Sequence, residues 1–455
     1  MRKTHHHQPS LIEPWLDLEH AKELRTISQI LDGHPRIREL ILQDLQAASG
    51  CNCSTGAEGM SAEQVLRTLI IKQIHDFSYR GLEFHLADSS SFRAFCRLGV
   101  GDPAPSKSAL CRNIKAVRSE TLEQINGILV RAAGNEGIED GRKVRVDCTG
   151  VESNIHHPTD SELLWDCVRV AVRLMSKARK ILGADVVRFA DRTRRAKRRR
   201  KEINTDKSRT QRKRSYRDLL RVAAETYRYA VEVREVLEAS HEVGIMEGAA
   251  LRGIGYELDH YLPLMEQVME QTRRRVVQGE SVPAAEKIVS IFEEHTDIIV
   301  KGGSGPIYGH KVCLTVGASS MVLDCVVLKG NPADSTLAVE MIDRQVQIYG
   351  KAPRQAAFDG AFASWENLAA IKSKKVQDVV FAKGRGIQVS DMARSAWVYK
   401  RLRNFRAGVE GIVSFLKRVF GLNRCTWRSL PSFESYVWSS VVACNLMVMA
   451  RHLMA

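Results

Sequence analysis

Three acidic residues stand out by type and setting: Asp147, Asp359 and Glu410. Asp147 lies in Lys143-Val144-Arg145-Val146-Asp147-Cys148-Thr149-Gly150-Val151, where apolar and charged residues alternate with the period of a strand. The alternation breaks at Thr149-Gly150, which predicts a bend or stop just past Asp147. Gln355-Ala356-Ala357-Phe358-Asp359-Gly360 reads as a second short strand that ends in Asp-Gly. Glu410 belongs to a helix over 402–420 whose apolar stripe is Val409, Ile412, Val413, Leu416, Val419 and Phe420. It lies off that stripe, on a face shared with Arg403, Arg406, Ser414 and Lys417. Two strand-end aspartates and a helix-borne glutamate can converge on one edge of a sheet, where such folds place ligands. Oxygen-only donors select hard cations, so Mg2+ or Mn2+ is the expected metal. Two ions roughly 3.5–4 Å apart activate a water or a 3′-hydroxyl and stabilise the departing oxygen of a phosphodiester. Arg403, Arg406 and Lys417 would then hold the phosphate backbone.

Each acid also has a plainer reading. Asp147 is equally an outward acid on a surface strand, and Glu410 a salt-bridged surface residue among bases. Four other carboxylates compete. Asp324 falls inside a predicted strand, and Asp334 follows Asn331-Pro332-Ala333 as a helix cap close to the proposed metal edge. Asp160 and Asp166 belong to a helix that Thr159 and Glu162 open with capping-box spacing.

The elements that must position these residues come in a definite order. Residues 1–135 read as helices, with apolar residues at three- and four-residue spacing in 16–31, 37–45, 61–74 and 91–98. After Pro103-Ala104-Pro105, Ser106 or Ser108 caps a helix through Leu110, Ile114 and Val117. Its other face carries Lys107, Arg112, Lys115 and Arg118, and either lies on DNA as part of a helix-turn-helix or is simply solvated. Residues 159–294 are a long helical stretch. His156-His157, just before it, reads as turn residues before a cap rather than as metal ligands. Strand character returns at 297–301, then at 310–316 and 321–328 around the hairpin signature Gly317-Ala318-Ser319-Ser320. A helix through Leu337, Met341 and Val346, the Asp359 strand, a helix over 364–372 and a strand over 376–382 complete the alternation. The fold class is therefore α+β, with a mixed sheet and helices packed on it.

The chain has 455 residues and a net charge of +15. Residues 192–217 hold fourteen Lys or Arg against Glu202 and Asp206, so one arm carries about +12 of that excess. Such a run, with Arg198, Arg199, Arg200 and Lys201 at its centre, suits a polyanion bound through counterion release. The alternative is a solvated, self-repelling helix or loop. Ten scattered cysteines give no disulfide framework and no paired zinc spacing, Cys51-Asn52-Cys53 being the one close pair. This predicts reduced thiols in a cytoplasmic protein. Met1 to Ser10 is polar and basic, which does not resemble a secretory signal, and His5-His6-His7 is set aside as native or added sequence. Tyr436 to Ala450, interrupted by Ser439, Ser440 and Asn445, reads as a buried terminal helix too short to span a bilayer.

Taken together these segments resemble a DDE transposase of bacterial insertion sequences, closest to the ISNCY-type group. The resemblance is carried by Asp147-Cys148-Thr149, Asn154-Ile155-His156-His157-Pro158-Thr159-Asp160-Ser161 and Leu163-Leu164-Trp165-Asp166. It continues through Tyr308-Gly309-His310-Lys311, Gly330-Asn331-Pro332-Ala333-Asp334, Phe358-Asp359-Gly360 and Asn404-Phe405-Arg406-Ala407-Gly408-Val409-Glu410-Gly411. It implies an RNase H-like catalytic domain in 136–158 and 295–455, a helical DNA-binding domain in 1–135 and a helical insertion in 159–294. It also implies that the acidic triad is Asp147, Asp359 and Glu410. Related enzymes carry a Tyr-Arg-Glu-Lys signature around the last acid; Arg406, Glu410 and Lys417 match it, while Arg403 stands where Tyr is expected. Some relatives hold a flipped end base with a Trp, for which Trp365 and Trp427 are candidates. The function implied is binding of terminal inverted repeats, metal-dependent cleavage at the ends and joining of the 3′-hydroxyl to target DNA, by a dimer or larger assembly. The rivals are an RNase H-like nuclease that cuts without joining and a non-catalytic DNA-binding remnant.

Overall fold

Strand β1, Lys143–Glu152, is the centre of the sheet. The computed structural model describes residues 3–4, 18–49, 59–99, 101–240, 244–300 and 305–455. His5-His6-His7, Cys51-Asn52-Cys53, Lys301 and the start of the helix expected from residue 16 lie outside the described residues. The remaining strands are β2 (Asp297–Ile299), β3 (Ile307–Val316), β4 (Val322–Val327), β5 (Gln355–Phe358) and β6 (Asp378–Phe381). β1 pairs antiparallel with β3, and β3 antiparallel with β4. On its other edge β1 pairs parallel with β5, and β5 parallel with β6. Ignoring short β2, the order across the sheet is β4-β3-β1-β5-β6. The protein is thus mixed α+β, as its pattern predicts.

Two details of β1 differ from the expectation. The strand does not bend at Thr149-Gly150, because both residues stay in register with Val312 and Lys311 of β3. Gly150 serves close packing instead: a Cβ there would meet Ile307 Cδ1 at 3.0 Å. Nor is β1 half-exposed. Arg145, on the face expected outside, is buried with its guanidinium donating to Phe405 O (3.0 Å) and Ser320 Oγ (3.2 Å). A strand covered on both faces cannot show its two sides as a simple apolar–polar alternation.

The chain divides into two compact units, residues 1–154 with 299–455, and residues 155–298. In the first, the N-terminal helices and the sheet share one hydrophobic core. Leu430–Met454 is the helix, among the described residues, whose length and composition would let it cross a membrane, yet 78% of its apolar window is buried inside the protein. Its polar residues are accounted for by internal partners. Asn445 donates to Asn126 Oδ1 and Val322 O, both at 2.7 Å, and accepts from Val322 N at 2.8 Å. Gln73 donates to Ser439 Oγ at 2.6 Å. A helix apolar on every side, with polar groups satisfied inside, is a core helix.

The second unit has its own core, made by the helices Asp160–Leu182, Thr193–Thr205, Arg209–Ala239 and Ile245–Thr272. Thr159 caps the first of these, accepting from Glu162 N at 3.2 Å. The reciprocal half of the predicted capping box is replaced by an ion pair from Glu162 to Arg200 at 2.8 Å.

Candidate active site

The site begins with strand register. The parallel ladder of β1 and β5 ends on the pair Val146–Phe358. The next residue on each strand is an aspartate, Asp147 and Asp359, so both leave the carboxyl end of one parallel pair. Asp147 is therefore not at a strand end, as the sequence pattern suggested; β1 runs on to Glu152 against β3. It is nevertheless at the point where its parallel neighbour stops. Asp359 ends its strand outright and opens a 3-10 turn over Gly360–Phe362. Gly360 lets the chain pass close to Lys383, since a Cβ would lie 2.7 Å from Lys383 Cβ.

The third carboxylate arrives on the helix Ala396–Val419, which packs against β1, β5 and β6. Ser395 caps it, accepting from Val398 N at 3.2 Å. Val409, Leu416 and Phe420 of the predicted stripe are fully buried, while Ile412, Val413 and Val419 are partly buried against the same core. This docking turns Arg406 and Glu410 toward the strand ends. Arg406 Nη2 donates to Asp147 Oδ2 at 2.9 Å and lies 3.3 Å from Asp359 Oδ1. Its Nη1 donates to Glu410 Oε1 at 3.1 Å. One guanidinium thus touches all three acids. Asp147 is further steadied by Cys148 N, which donates to its Oδ1 at 2.8 Å.

The fit of a divalent cation can be judged from these contacts. The donors are all carboxylates, the hard ligands such an ion needs, and their oxygens meet around one cationic group. As they stand, no three His, Cys, Asp or Glu side chains among the described residues are grouped to hold a metal. Arg406 lies between the acids, so a metal would have to displace its guanidinium. Beside the cluster is a cavity of about 590 Å3 lined by Asp147, Glu410, Thr149, Ser414, Lys417 and Arg418, among others. Acidic and basic side chains therefore line the same cavity.

The other candidates are distributed as follows. Lys417 lines the cavity, and Arg403 is exposed on the same helix. Arg406, assigned from sequence to the phosphate backbone, is bonded to the three acids. Asp324 is held by Arg344 (2.5 Å). Asp334 does not cap a helix; it pairs with buried Lys311 at 2.5 Å. Asp160 pairs with Arg275 (2.8 Å), and Asp166 with Arg169 (2.7 Å). Trp427 is a core residue at 2% exposure, whereas Trp365 is 53% exposed.

Lys107, Arg112 and Lys115 lie on the helix Lys107–Lys115, with Leu110 and Ile114 buried behind them. Arg198, Arg199, Arg200 and Lys201 lie on the helix Thr193–Thr205 and are not equivalent. Arg199 pairs with Asp218 (2.6 Å) and Glu202 (2.7 Å), and Arg200 with Glu162. Arg198 reaches Glu202 only at 3.9 Å, and Lys201 is exposed with no ion pair among the described residues.

Sequence reasoning missed the support beneath Arg406. Lys143 and Arg145 both lie over the Phe405 ring, 4.0 and 4.7 Å from its centre. Burial, with Arg401 and Arg145 nearby, lowers the Lys143 pKa. The alternation of Lys143 and Arg145 was visible, but not the aromatic partner 260 residues away.

Comparison with known proteins finds two family models. Residues 12–116 match a Transposase domain (DUF772), and residues 300–446 match a Transposase DDE domain. Neither a curated protein nor a solved structure matches the chain.

Proposed function

The chain belongs to the DDE transposases of insertion sequences, and from that premise we propose that Asp147, Asp359 and Glu410 are its catalytic metal ligands. The observation that carries this assignment is the convergence of the three carboxylates on the single Arg406 guanidinium at the end of the β1–β5 ladder. The order β4-β3-β1-β5-β6, three antiparallel strands followed by two parallel ones, supports reading this domain as RNase H-like. Within that family, the motifs around Asp147, Asp359 and Glu410 favour the ISNCY-type group in this reading.

In the proposed reaction the enzyme binds the terminal inverted repeats, cuts at their ends and joins the 3′-hydroxyl to target DNA. Bound Mg2+ or Mn2+, two ions in this reading, would supply Lewis acidity for the attacking oxygen and charge neutralisation for the leaving one. The protein's part is positional. Strand register holds Asp147 and Asp359 rigidly, and the capped helix brings Glu410 over them. Lys417 and Arg418 on the cavity wall would seat a phosphate beside the acids, with Arg403 on the exposed side of the helix. Lys107, Arg112 and Lys115, together with the basic insertion, would add further DNA contacts. A dimer or larger assembly would bring two ends together, acting in the cytoplasm at the nucleoid.

The test is Asp359→Asn with a pre-cleaved end and a plasmid target. Cleavage and joining should both fall to background while end binding is retained, because the amide keeps the shape and loses the charge. A fully active variant would remove Asp359 from the triad. Cleavage without joining in the unaltered enzyme would favour the nuclease reading.

A further inference from the structure

Arg406 holds a position that the proposed chemistry needs for a metal. We propose that its guanidinium is an internal counter-ion that closes the acidic site until DNA phosphate draws it away, so that metal loading is coupled to DNA binding. This inference rests on the triad proposed above.

Three features support it. The guanidinium is the shared partner of Asp147, Asp359 and Glu410, at 2.9, 3.3 and 3.1 Å. It is a single positive charge against three carboxylates, so it relieves their repulsion without neutralising the cluster. Its seat is also imperfect. The Arg406 side chain is 14% exposed, yet its Nε is buried without a hydrogen-bond partner among the described residues. An unpaired buried donor costs free energy that a better partner would recover.

A DNA phosphate is such a partner, since guanidinium pairs with phosphate through two parallel hydrogen bonds. The adjacent cavity, with Lys417 and Arg418 on its wall, can admit one. Glu410, 70% exposed, already faces solvent, so the outward path for the Arg406 head is not through the core. Release would remove the one cation that the three carboxylates share and leave their charge to a divalent ion. By linkage, whatever factor DNA adds to metal affinity, metal adds to DNA affinity. Arg406 is therefore a positioning residue that acts through the carboxylates.

The experiment is titration of the full chain with Mn2+ alone, followed by electron paramagnetic resonance, in unaltered protein, Arg406→Gln, Arg406→Lys and Asp359→Asn. Arg406→Gln should bind Mn2+ about tenfold or more tightly without DNA, because a contact cation has been removed from a partly buried acidic cluster. Arg406→Lys, which keeps the charge but cannot span three carboxylates, should fall between and covers the case in which the Gln variant fails to fold. Adding duplex DNA should tighten Mn2+ binding in the unaltered protein and do so less in Arg406→Gln. If Asp359→Asn weakens Mn2+ binding but neither Arg406 variant strengthens it, the counter-ion role is wrong and the triad stands. If Asp359→Asn leaves Mn2+ binding unchanged, the triad reading fails and takes this proposal with it.

Discussion

Gly408 shows how narrowly the site is built. It lies on the helix that carries Arg406 and Glu410, and a Cβ there would stand 2.3 Å from Arg145 Nη1. That nitrogen is not free to yield, because it donates to Phe405 O while Nη2 donates to Ser320 Oγ. Gly408 therefore lets the helix close onto β1. Gly408→Ala should destabilise the protein by about 1–3 kcal/mol through overpacking and lower DNA joining by shifting Arg406 and Glu410. Gly411, on the next turn, has open space where a methyl group would go, with nothing within 4 Å. Gly411→Ala should be neutral, or stabilising by up to about 1 kcal/mol from helix propensity. Urea midpoints of the two variants check this directly; equal midpoints would mean that Gly408 is not a contact glycine.

Among the elements, the helices around His75 carry a pH dependence. His75 caps the carboxyl end of Ala62–Ile74, stacks on Phe77 with ring centres 5.0 Å apart and meets His20 edge-on at 4.9 Å. Burial, and then the neighbouring His20 and His85, lower its pKa from 6.5 to about 4. The folded state thus prefers neutral imidazole. Its stabilising contribution is complete above about pH 6.5 and is lost progressively as the pH falls toward 4. His75→Phe should keep the ring packing and remove this component. Denaturant midpoints across that range should fall less steeply in the variant; parallel curves would show that His75 takes up no proton on unfolding in that window.

For the whole molecule, net charge predicts salt-dependent DNA binding, and the ion pairs decide which cations supply it. Arg195 and Arg199 are engaged by Asp218, and Arg200 by Glu162. Lys201, Arg209, Arg212 and Arg214 are exposed, with no ion pairs among the described residues. Replacing these four by Gln should weaken binding and flatten the plot of log affinity against log salt, by about 0.9 for each phosphate left unneutralised. Replacing Arg195 and Arg199 should instead lower the stability of residues 155–298 and leave the slope nearly unchanged. The reverse result would place the DNA-binding charge on the paired arginines.

Much of this was legible in the chain because its signals are local. Period-two and period-3.6 patterning marked β1, β3, β5 and the Glu410 helix, and Ser or Thr caps marked helix starts. The three acids proposed as ligands could be picked out as candidates because each sits beside a local landmark: a strand, an Asp-Gly stop or a basic helix face. Non-local pairing was not legible. Patterning could not reveal that Val146 pairs with Phe358, that Arg145 is buried under Phe405, or that Arg199 belongs to Asp218. Nor could it show that Arg406 lies among the carboxylates. A guanidinium on a basic helix face has the same sequence signature whether it meets phosphate or acid. Which of the two it meets depends on how the helix docks across the strand ends, and that is set by packing between residues far apart in the chain.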